Sequence, residues 1–441
     1  MRETVCVIGL GYIGLPTSML LAKHGFKVVG IDVNPQIVNG LENGRIHIEE
    51  EGLSGIFAEV RQNESFRVLH EPCPADIFII AVPTPISENR HSNLDYVISA
   101  LRSITPVLKK GDLIILESTV PPGTTSDIVA PMLLRAGYDA GCDVFLAHCP
   151  ERVLPGKIVT ELVENNRIIG GYDERSSERA AALYRSFVKG EIITTTATNA
   201  EMVKLMENTY RDVNIALANE LAKVSAKIGV NALEVIHLAN KHPRVHLHSP
   251  GPGVGGHCIA VDPYFVIEKA PDFTPLMQTA REVNHSMPHF VVEQTAAITK
   301  FSGKNIAVFG ITYKGNVDDT RESPALDVIQ LLLQEGYCVK AHDPHVDPGR
   351  INPFPLFDAS EALQDAHCLL LLADHKEFQE IDEAMILNRM HTAVIFDTKN
   401  IVKQNKFRHT KVYHFGNLFE LIADNAKFPA HKEIAASQNK V

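Results

Sequence analysis

The strongest constraint in this sequence is a rhythm. Six short apolar runs, at 4–9, 27–32, 77–82, 113–117, 144–147 and 167–170, read as strands, and each is separated from the next by enough residues for a helix. Antiparallel neighbours need only a turn between them, whereas parallel neighbours need a crossover of a dozen residues or more. The rhythm therefore selects a mostly parallel, doubly wound sheet. Strand signals vanish between about 197 and 298. One amphipathic pattern instead runs over 199–228, carried by Met202, Leu205, Met206, Val213, Ile215, Ala216, Leu217, Leu221 and Val224. It is long enough for a helix of roughly 45 Å, able to join domains and to supply a dimer face. From about 304 the alternation returns, with strands at 305–310, 338–342, 367–373 and 393–397 and a helix at 325–334. The expected fold is α/β, with two Rossmann-like doubly wound domains joined by a long central helix. The expected boundaries are 1–196, 197–300 and 301–441, the last residues after about 427 reading as a loose polar tail.

The first strand runs into Gly9-Leu10-Gly11-Tyr12-Ile13-Gly14, which opens a helix, and the second strand ends at Asp32, 18 residues after Gly14. In that context the glycines predict a dinucleotide site: backbone N–H groups at the helix N-terminus hold a pyrophosphate, and Asp32 accepts from the adenine ribose hydroxyls. A carboxylate repels a 2′-phosphate, and Val33, Asn34 and Pro35 supply no arginine, so NAD is favoured over NADP. Thr84 and the pair Ser118-Thr119 follow two later strands, where an open parallel sheet presents its ligand loops.

Composition removes other classes. At roughly 150 residues per domain, 441 residues make two or three globular domains. With 45% hydrophobic and 22% charged residues the chain is not of disordered type. Apolar runs such as 368–373 fall far short of the roughly 20 residues needed to span a bilayer. The net charge of −11, with no basic stripe, disfavours nucleic acid as a partner. Residues 4–9 read as a strand and lack the layout of a signal peptide, and seven scattered cysteines without a CxxC pair suit a reducing compartment, so a cytoplasmic location is expected.

Further constellations stand out. Gly255-Gly256-His257-Cys258 places a thiol after two glycines that let backbone approach a ligand, although most cysteines in such turns are simply structural. His237, His242, His246, His248 and His257 crowd the same region, but Pro243 interrupts the 242/246 spacing and no cysteine pair accompanies them, so no metal is expected. Lys204 and Asn208 share one face of the long helix near Glu201 and Glu207, a pattern that ordinarily faces water. Lys314 and Arg321 follow the first strand of the C-terminal unit, where they either face a ligand or pair at the surface.

Together the motifs GLGYIGLP, AVPTP, ESTVPPGT, CPERVLPG, EMVKLMENTYRDVNIALANEL, HPRVHLHSPGPGVGGHCIAVDP, AREVN and YKGNVDDTRESP resemble, in order and from about residue 4 to 400, the UDP-glucose/GDP-mannose dehydrogenase family. The resemblance implies an NAD domain, a helical dimerisation domain and a C-terminal UDP-sugar domain within the three boundaries above. It implies a four-electron oxidation of a sugar C6 alcohol, with Cys258 as nucleophile, Lys204 as base or charge partner and Asn208 as oxyanion donor. Thr119, Glu151 and Asp262 would position and deprotonate the hydrolytic water. Gly9, Gly11, Tyr12, Ile13, Gly14, Asp32, Thr84, Thr119 and Arg321 would bind NAD. Glu151, Arg152, Lys204, Asn208, Gly255 and Lys314 would bind the UDP-sugar, with Arg244 contributed across a homodimer or larger homo-oligomer. Two positions depart from the UDP-glucose enzymes: Pro155 stands where they carry an acid, and Lys399-Asn400 where they carry a sugar-proximal arginine. Both fit a pocket altered for an N-acetylated hexosamine.

Overall fold

The computed structural model describes residues 3–154, 156–347, 354–421 and 424. It resolves into two compact units, one made of Met1–Asn208 with Val261–Thr274, the other of Thr209–Ala260 with Pro275–Val441. The expected tail beyond 427 lies outside the described residues.

In the first unit the strands are β1 (Thr4–Ile8), β2 (Lys27–Ile31), β3 (Phe66–Leu69), β4 (Ile77–Ile80), β5 (Leu113–Leu116), β6 (Phe145–His148), β7 (Arg167–Gly171) and β8 (Ile192–Thr196). They form one sheet in the order β3-β2-β1-β4-β5-β6-β7-β8, parallel except where β6 meets β7. The first six follow the dinucleotide-fold order, whose reversal between β1 and β4 opens a crevice outside their carboxyl ends. Period-two alternation feeds two apolar layers: Val5, Val7, Ile77, Ile79, Leu113 and Ile115 face one, while Cys6, Ile8, Phe78, Ile80, Ile114 and Leu116 face the other.

The second unit holds β9 (Asn305–Phe309), β10 (Cys338–His342), β11 (Cys368–Leu371), β12 (Val394–Asp397) and β13 (Lys411–His414), all parallel, in the order β10-β9-β11-β12-β13. Counted within the unit this is 2-1-3-4-5, a doubly wound order whose crevice lies outside β9 and β11. The strands that the apolar runs do not announce, β3, β8 and β13, are all at sheet edges, where half-exposed residues such as Arg67 and the threonines of β8 break the run. The long helix covers Ala197–Ile228, two residues longer at its start than the pattern indicates. Among the described residues no helix is long and apolar enough to cross a membrane.

Candidate active site

The glycine loop divides its three glycines by task. Gly9 has φ +93°, and a Cβ there would lie 2.5 Å from the Ala81 carbonyl oxygen; one on Gly14 would lie 1.9 Å from the Gly9 oxygen. The fold itself demands both. Around Gly11 nothing lies within 4 Å of an added Cβ, so the space beside it is open to a ligand, as a passing pyrophosphate requires. Ile13 leads into the helix Gly14–Lys23 without a side-chain cap of its own, as a helix N-terminus that receives an anion requires. Asp32 accepts from Leu10 N (3.0 Å) through one oxygen and from Asn34 N (2.8 Å) through the other. Each oxygen keeps a lone pair for a ribose hydroxyl. These residues fit NAD. The Ser118 hydroxyl receives Val82 N at 3.0 Å and donates to Val82 O at 2.8 Å, and Thr84 Oγ1 donates to Thr119 O at 2.6 Å, tying the two ligand loops together.

The long helix turns Glu201, Lys204, Leu205 and Asn208 inward, at spacings of three and four, and all four are buried. The ordinary expectation of a solvated Lys204/Asn208 face is thereby corrected. The cause lies in partners far away in sequence. Lys204 Nζ stands 3.6 Å from Glu151 Oε2, and the other Glu151 oxygen accepts from Val153 N. Asn208 Nδ2 donates to Asp262 Oδ2 at 2.6 Å. Burial pushes the Asp262 carboxyl up to about 6, against the pull of the Lys204 charge and the Asn208 hydrogen bond, with the Glu151 charge adding to the rise. A carboxylate so placed changes protonation near neutral pH, the range a general base needs. Arg152 is held by Glu207 in a bidentate pair (3.0 and 2.5 Å) and by the Asn166 carbonyl (2.8 Å), stitching the loop after β6 to the helix. Glu201, which the sequence places beside that face without a partner, receives Gly123 N (2.6 Å), Thr125 N (2.8 Å) and Thr125 Oγ1 (2.7 Å). Pro155 lies outside the described residues.

In the second unit the reason for the paired glycines changes. A Cβ on Gly255 would meet Glu322 O at 2.3 Å and Tyr313 Cβ at 2.8 Å, and one on Gly256 (φ +81°) would meet the Tyr313 ring at 2.7 Å. The glycines admit the protein's own 313–324 loop, and Gly256 N donates to Arg321 O at 3.2 Å. The Cys258 thiol is exposed. None of the seven cysteines forms a disulfide, and Cys6, Cys149 and Cys368 are buried, their thiols pushed up to about 12, 11 and 12 by that burial. Cys142 is exposed, yet the Asp139 charge also raises its thiol. Cys338 is exposed and Cys73 half-buried. A buried network roots the cysteine loop: Arg281 Nη1 donates to Asp212 Oδ1 (2.6 Å), Asn284 Nδ2 to the same oxygen (2.8 Å), Asn219 Nδ2 to Asn284 Oδ1 (2.9 Å), and Gly251 N to Asn219 Oδ1 (2.9 Å). Arg244 is exposed.

The loop after β9 carries Lys314, half-buried, across the crevice of the second sheet. Ile311 N donates to Asp343 Oδ2 (2.8 Å), Gly315 N to Asp374 Oδ1 (2.9 Å), and Asn316 N to His375 Nδ1 (2.9 Å). His375 Nε2 is 3.0 Å from Asp343 Oδ2, so this buried imidazole spends both nitrogens on pinning the Lys314 loop. Nothing in the residues around it announces that task. Among the described residues His345, His375 and Glu377 form the one cluster with three metal-type ligand atoms within 4.8 Å, and His375 is already committed to protein partners. Arg321 closes a bidentate pair with Asp319 (2.8 and 2.6 Å), and Lys399 lies 3.8 Å from Asp374.

Known proteins match along the whole of this architecture. The UDP-glucose/GDP-mannose dehydrogenase family matches in its three parts: NAD binding domain at 3–188, central domain at 198–286 and UDP binding domain at 307–404. A UDP-N-acetyl-D-mannosamine dehydrogenase of Methanococcus maripaludis is 47% identical over 427 residues, covering 94% of this chain and 97% of its own. An NDP-N-acetyl-D-galactosaminuronic acid dehydrogenase of Ralstonia nicotianae is 46% identical over 410 residues, covering 90% and 96%. The solved UDP-N-acetyl-mannosamine dehydrogenase Cap5O from Staphylococcus aureus superposes with a TM-score of 0.88 at 51% identity, covering 95% of this chain and all of that one. On these matches the chain belongs to the UDP-glucose/GDP-mannose dehydrogenase family and is an NAD-dependent nucleotide-sugar oxidoreductase.

Proposed function

We propose that the chain oxidises the C6 alcohol of UDP-N-acetyl-D-mannosamine to the carboxylate, giving UDP-N-acetyl-D-mannosaminuronate, in two two-electron steps through Cys258. The observation that carries the reading is the buried set Lys204, Glu151, Asn208 and Asp262, with Asp262 poised near neutral pH. NAD, held by the loop 9–14 and Asp32, supplies a hydride acceptor for each two-electron step. Lys204 takes the alcohol proton or faces the developing oxyanion, and Asn208 donates to that oxygen. The Cys258 thiolate adds to the aldehyde, giving a thiohemiacetal that becomes a thioester when the second hydride leaves. Asp262, with Glu151 and Thr119, orients and deprotonates water; the water oxygen attacks the thioester carbon and the C–S bond breaks, returning the thiol. Arg152, Gly255 and Lys314 take part in holding the UDP-sugar, and Arg321 serves the NAD side.

The three sequence divisions, 1–196, 197–300 and 301–441, then correspond to an NAD domain, a helical dimerisation domain and a UDP-sugar domain. Tyr210, Leu217, Val224 and Ile228 are 56%, 51%, 46% and 65% exposed at spacings of seven, seven and four, an apolar stripe on the long helix. That stripe supports a homodimer in which Arg244 reaches the partner's substrate. A Leu217→Glu chain that still elutes as a dimer refutes this face. Seven cysteines without a disulfide support a cytoplasmic setting, and the product class supports a role in surface polysaccharide synthesis.

The second reading is a UDP-N-acetyl-D-glucosamine 6-dehydrogenase, with UDP-glucose third. A side-by-side assay of NADH release from the three UDP-sugars decides. The expected result is the highest kcat/KM for UDP-N-acetylmannosamine with two NADH per sugar. A higher value for either competitor overturns the sugar assignment, and one NADH per sugar overturns the cysteine relay.

A further inference from the structure

The helix Asp262–Ile267 is only six residues long, too short to hold itself in place, so the position of Asp262 depends on what grips the helix from outside. At its first turn Asn208 does so. At its far end the grip comes from the segment 84–93 that follows β4. This segment folds on itself: Ile86 bridges Ser92, Ser87 N donates to His91 O (2.8 Å), Arg90 N to Ser87 O (2.8 Å), and Asn93 N to Pro85 O (2.8 Å), with Arg90 in the left-handed region at φ +61°. Its root is fastened by Thr84 to the Thr119 carbonyl. Its tip is fastened to Glu268, the residue that ends the helix: Ser92 N donates to one carboxylate oxygen and Ser92 Oγ to the other, both at 2.7 Å. His91 Nδ1 stands 3.6 Å from the same carboxylate, which is 12% exposed, and the Arg90 guanidinium lies 5.3 Å over the Tyr264 ring. A carboxylate that accepts a backbone N–H and a hydroxyl on separate oxygens is fixed in direction as well as place.

We propose that Glu268 and Ser92 form a latch that positions Asp262, so that the loop after β4 sets the water-activating carboxylate from the end of its helix opposite to Asn208. The proposal rests on the role given above to Asp262. Neither latch residue is assigned to substrate or NAD. Releasing the latch lets the helix tilt and water reach Asp262, whose raised carboxyl depends mainly on burial. The charged groups facing Asp262 are Lys204 and Glu151, and those facing the latch are His91 and Arg90. None of them replaces the burial.

The test compares Glu268→Ala, Glu268→Gln and Ser92→Ala in the full chain. Glu268→Ala is expected to lower kcat roughly 10- to 100-fold, the size of effect that follows from a catalytic group displaced by about 1 Å, with KM for both substrates unchanged. The acid limb of its kcat profile moves to lower pH. Glu268→Gln keeps an oxygen for Ser92 N and restores most of the rate; Ser92→Ala moves kcat the same way by less. Amide hydrogen exchange over 262–268 accelerates in Glu268→Ala and not in Glu268→Gln. Wild-type kcat with wild-type exchange in Glu268→Ala overturns the latch, as does a lost rate that Gln fails to rescue with the acid limb unmoved. Full turnover by Asp262→Asn overturns the reading of Asp262 instead, and the exchange experiment still decides whether the latch exists.

Discussion

Replacing Asp262 by asparagine should make the protein more stable and inactive at once. In the folded chain the carboxyl sits at about 6 against an ordinary 3.8, so the folded state holds its proton more tightly than the unfolded one. The direction follows from linkage: a raised carboxyl favours folding below about pH 4, and that benefit is lost as pH rises through 6, above which ionisation of the buried group carries its full cost. About two pH units at 1.36 kcal/mol each make that cost about 3 kcal/mol. Asparagine has the shape of the neutral acid and its carbonyl can still accept from Asn208 Nδ2, while Lys204 keeps Glu151 at 3.6 Å. For a unit of roughly 220 residues, about 3 kcal/mol raises the melting temperature by about 6–12 °C. Calorimetry of both chains from pH 4 to pH 8 should show the gap opening between pH 4 and 6 and staying open above, with uronate formation lost throughout. A gap that is absent at pH 8, or one of the same size at every pH, would refute the argument that Asp262 is held ionised at a cost.

Gly11→Ala should leave melting unchanged and weaken NADH binding by about tenfold or more, equivalent to about 1.4 kcal/mol, whereas Gly14→Ala should not fold, because its Cβ would lie 1.9 Å from Gly9 O. Equal effects in fluorescence titration and melting would break this division of tasks. Arg281→Met strands the Asp212 carboxylate, of which none is exposed, and should cost about 3–5 kcal/mol in denaturant unfolding of the second unit. A loss below about 1 kcal/mol would show that the Asp212 network does not root the cysteine loop. Cys258→Ser should retain NAD and UDP-sugar binding and form no uronate. Iodoacetamide mapping of the native protein should label Cys258 and spare Cys6, Cys149 and Cys368; uronate formation by the serine chain removes Cys258 from the nucleophile role.

What could be read in advance was what adjacent residues decide. Interior strands such as β4, with Ile77, Phe78, Ile79 and Ile80 all buried, are continuous apolar runs because both faces meet helices. Edge strands lack that signature, so no continuous apolar run marks β3, β8 or β13. The glycine triplet is legible from its spacing between strand and helix; Gly14 answers to Gly9 nearby, whereas the clash that holds Gly9 comes from Ala81, far along the chain. The long helix was legible in extent but not in orientation. Leu217 and Val224 are exposed, whereas Lys204, Asn208, Asp212 and Asn219 are buried, because their partners Glu151, Asp262, Arg281 and Asn284 stand 50 to 70 positions away along the chain. Glu268 and His375 carry no local mark, since their meaning is made wholly by Ser92 and by the loop 311–316.

The fit of Gly255 and Gly256 against Tyr313 and Glu322 makes the thiol loop and the loop bearing Lys314 one mechanical body. With the proposed assignment of Lys314 to the nucleotide and Cys258 to the sugar, a nucleotide that stiffens the second loop would stiffen the first, and the two binding events would share a coupling free energy. Such coupling is reciprocal: whatever factor the nucleotide contributes to the equilibrium of a reversible thiol adduct, the adduct returns to the affinity for the nucleotide. On that assignment, retention of the half-oxidised sugar would depend on how two glycines pack.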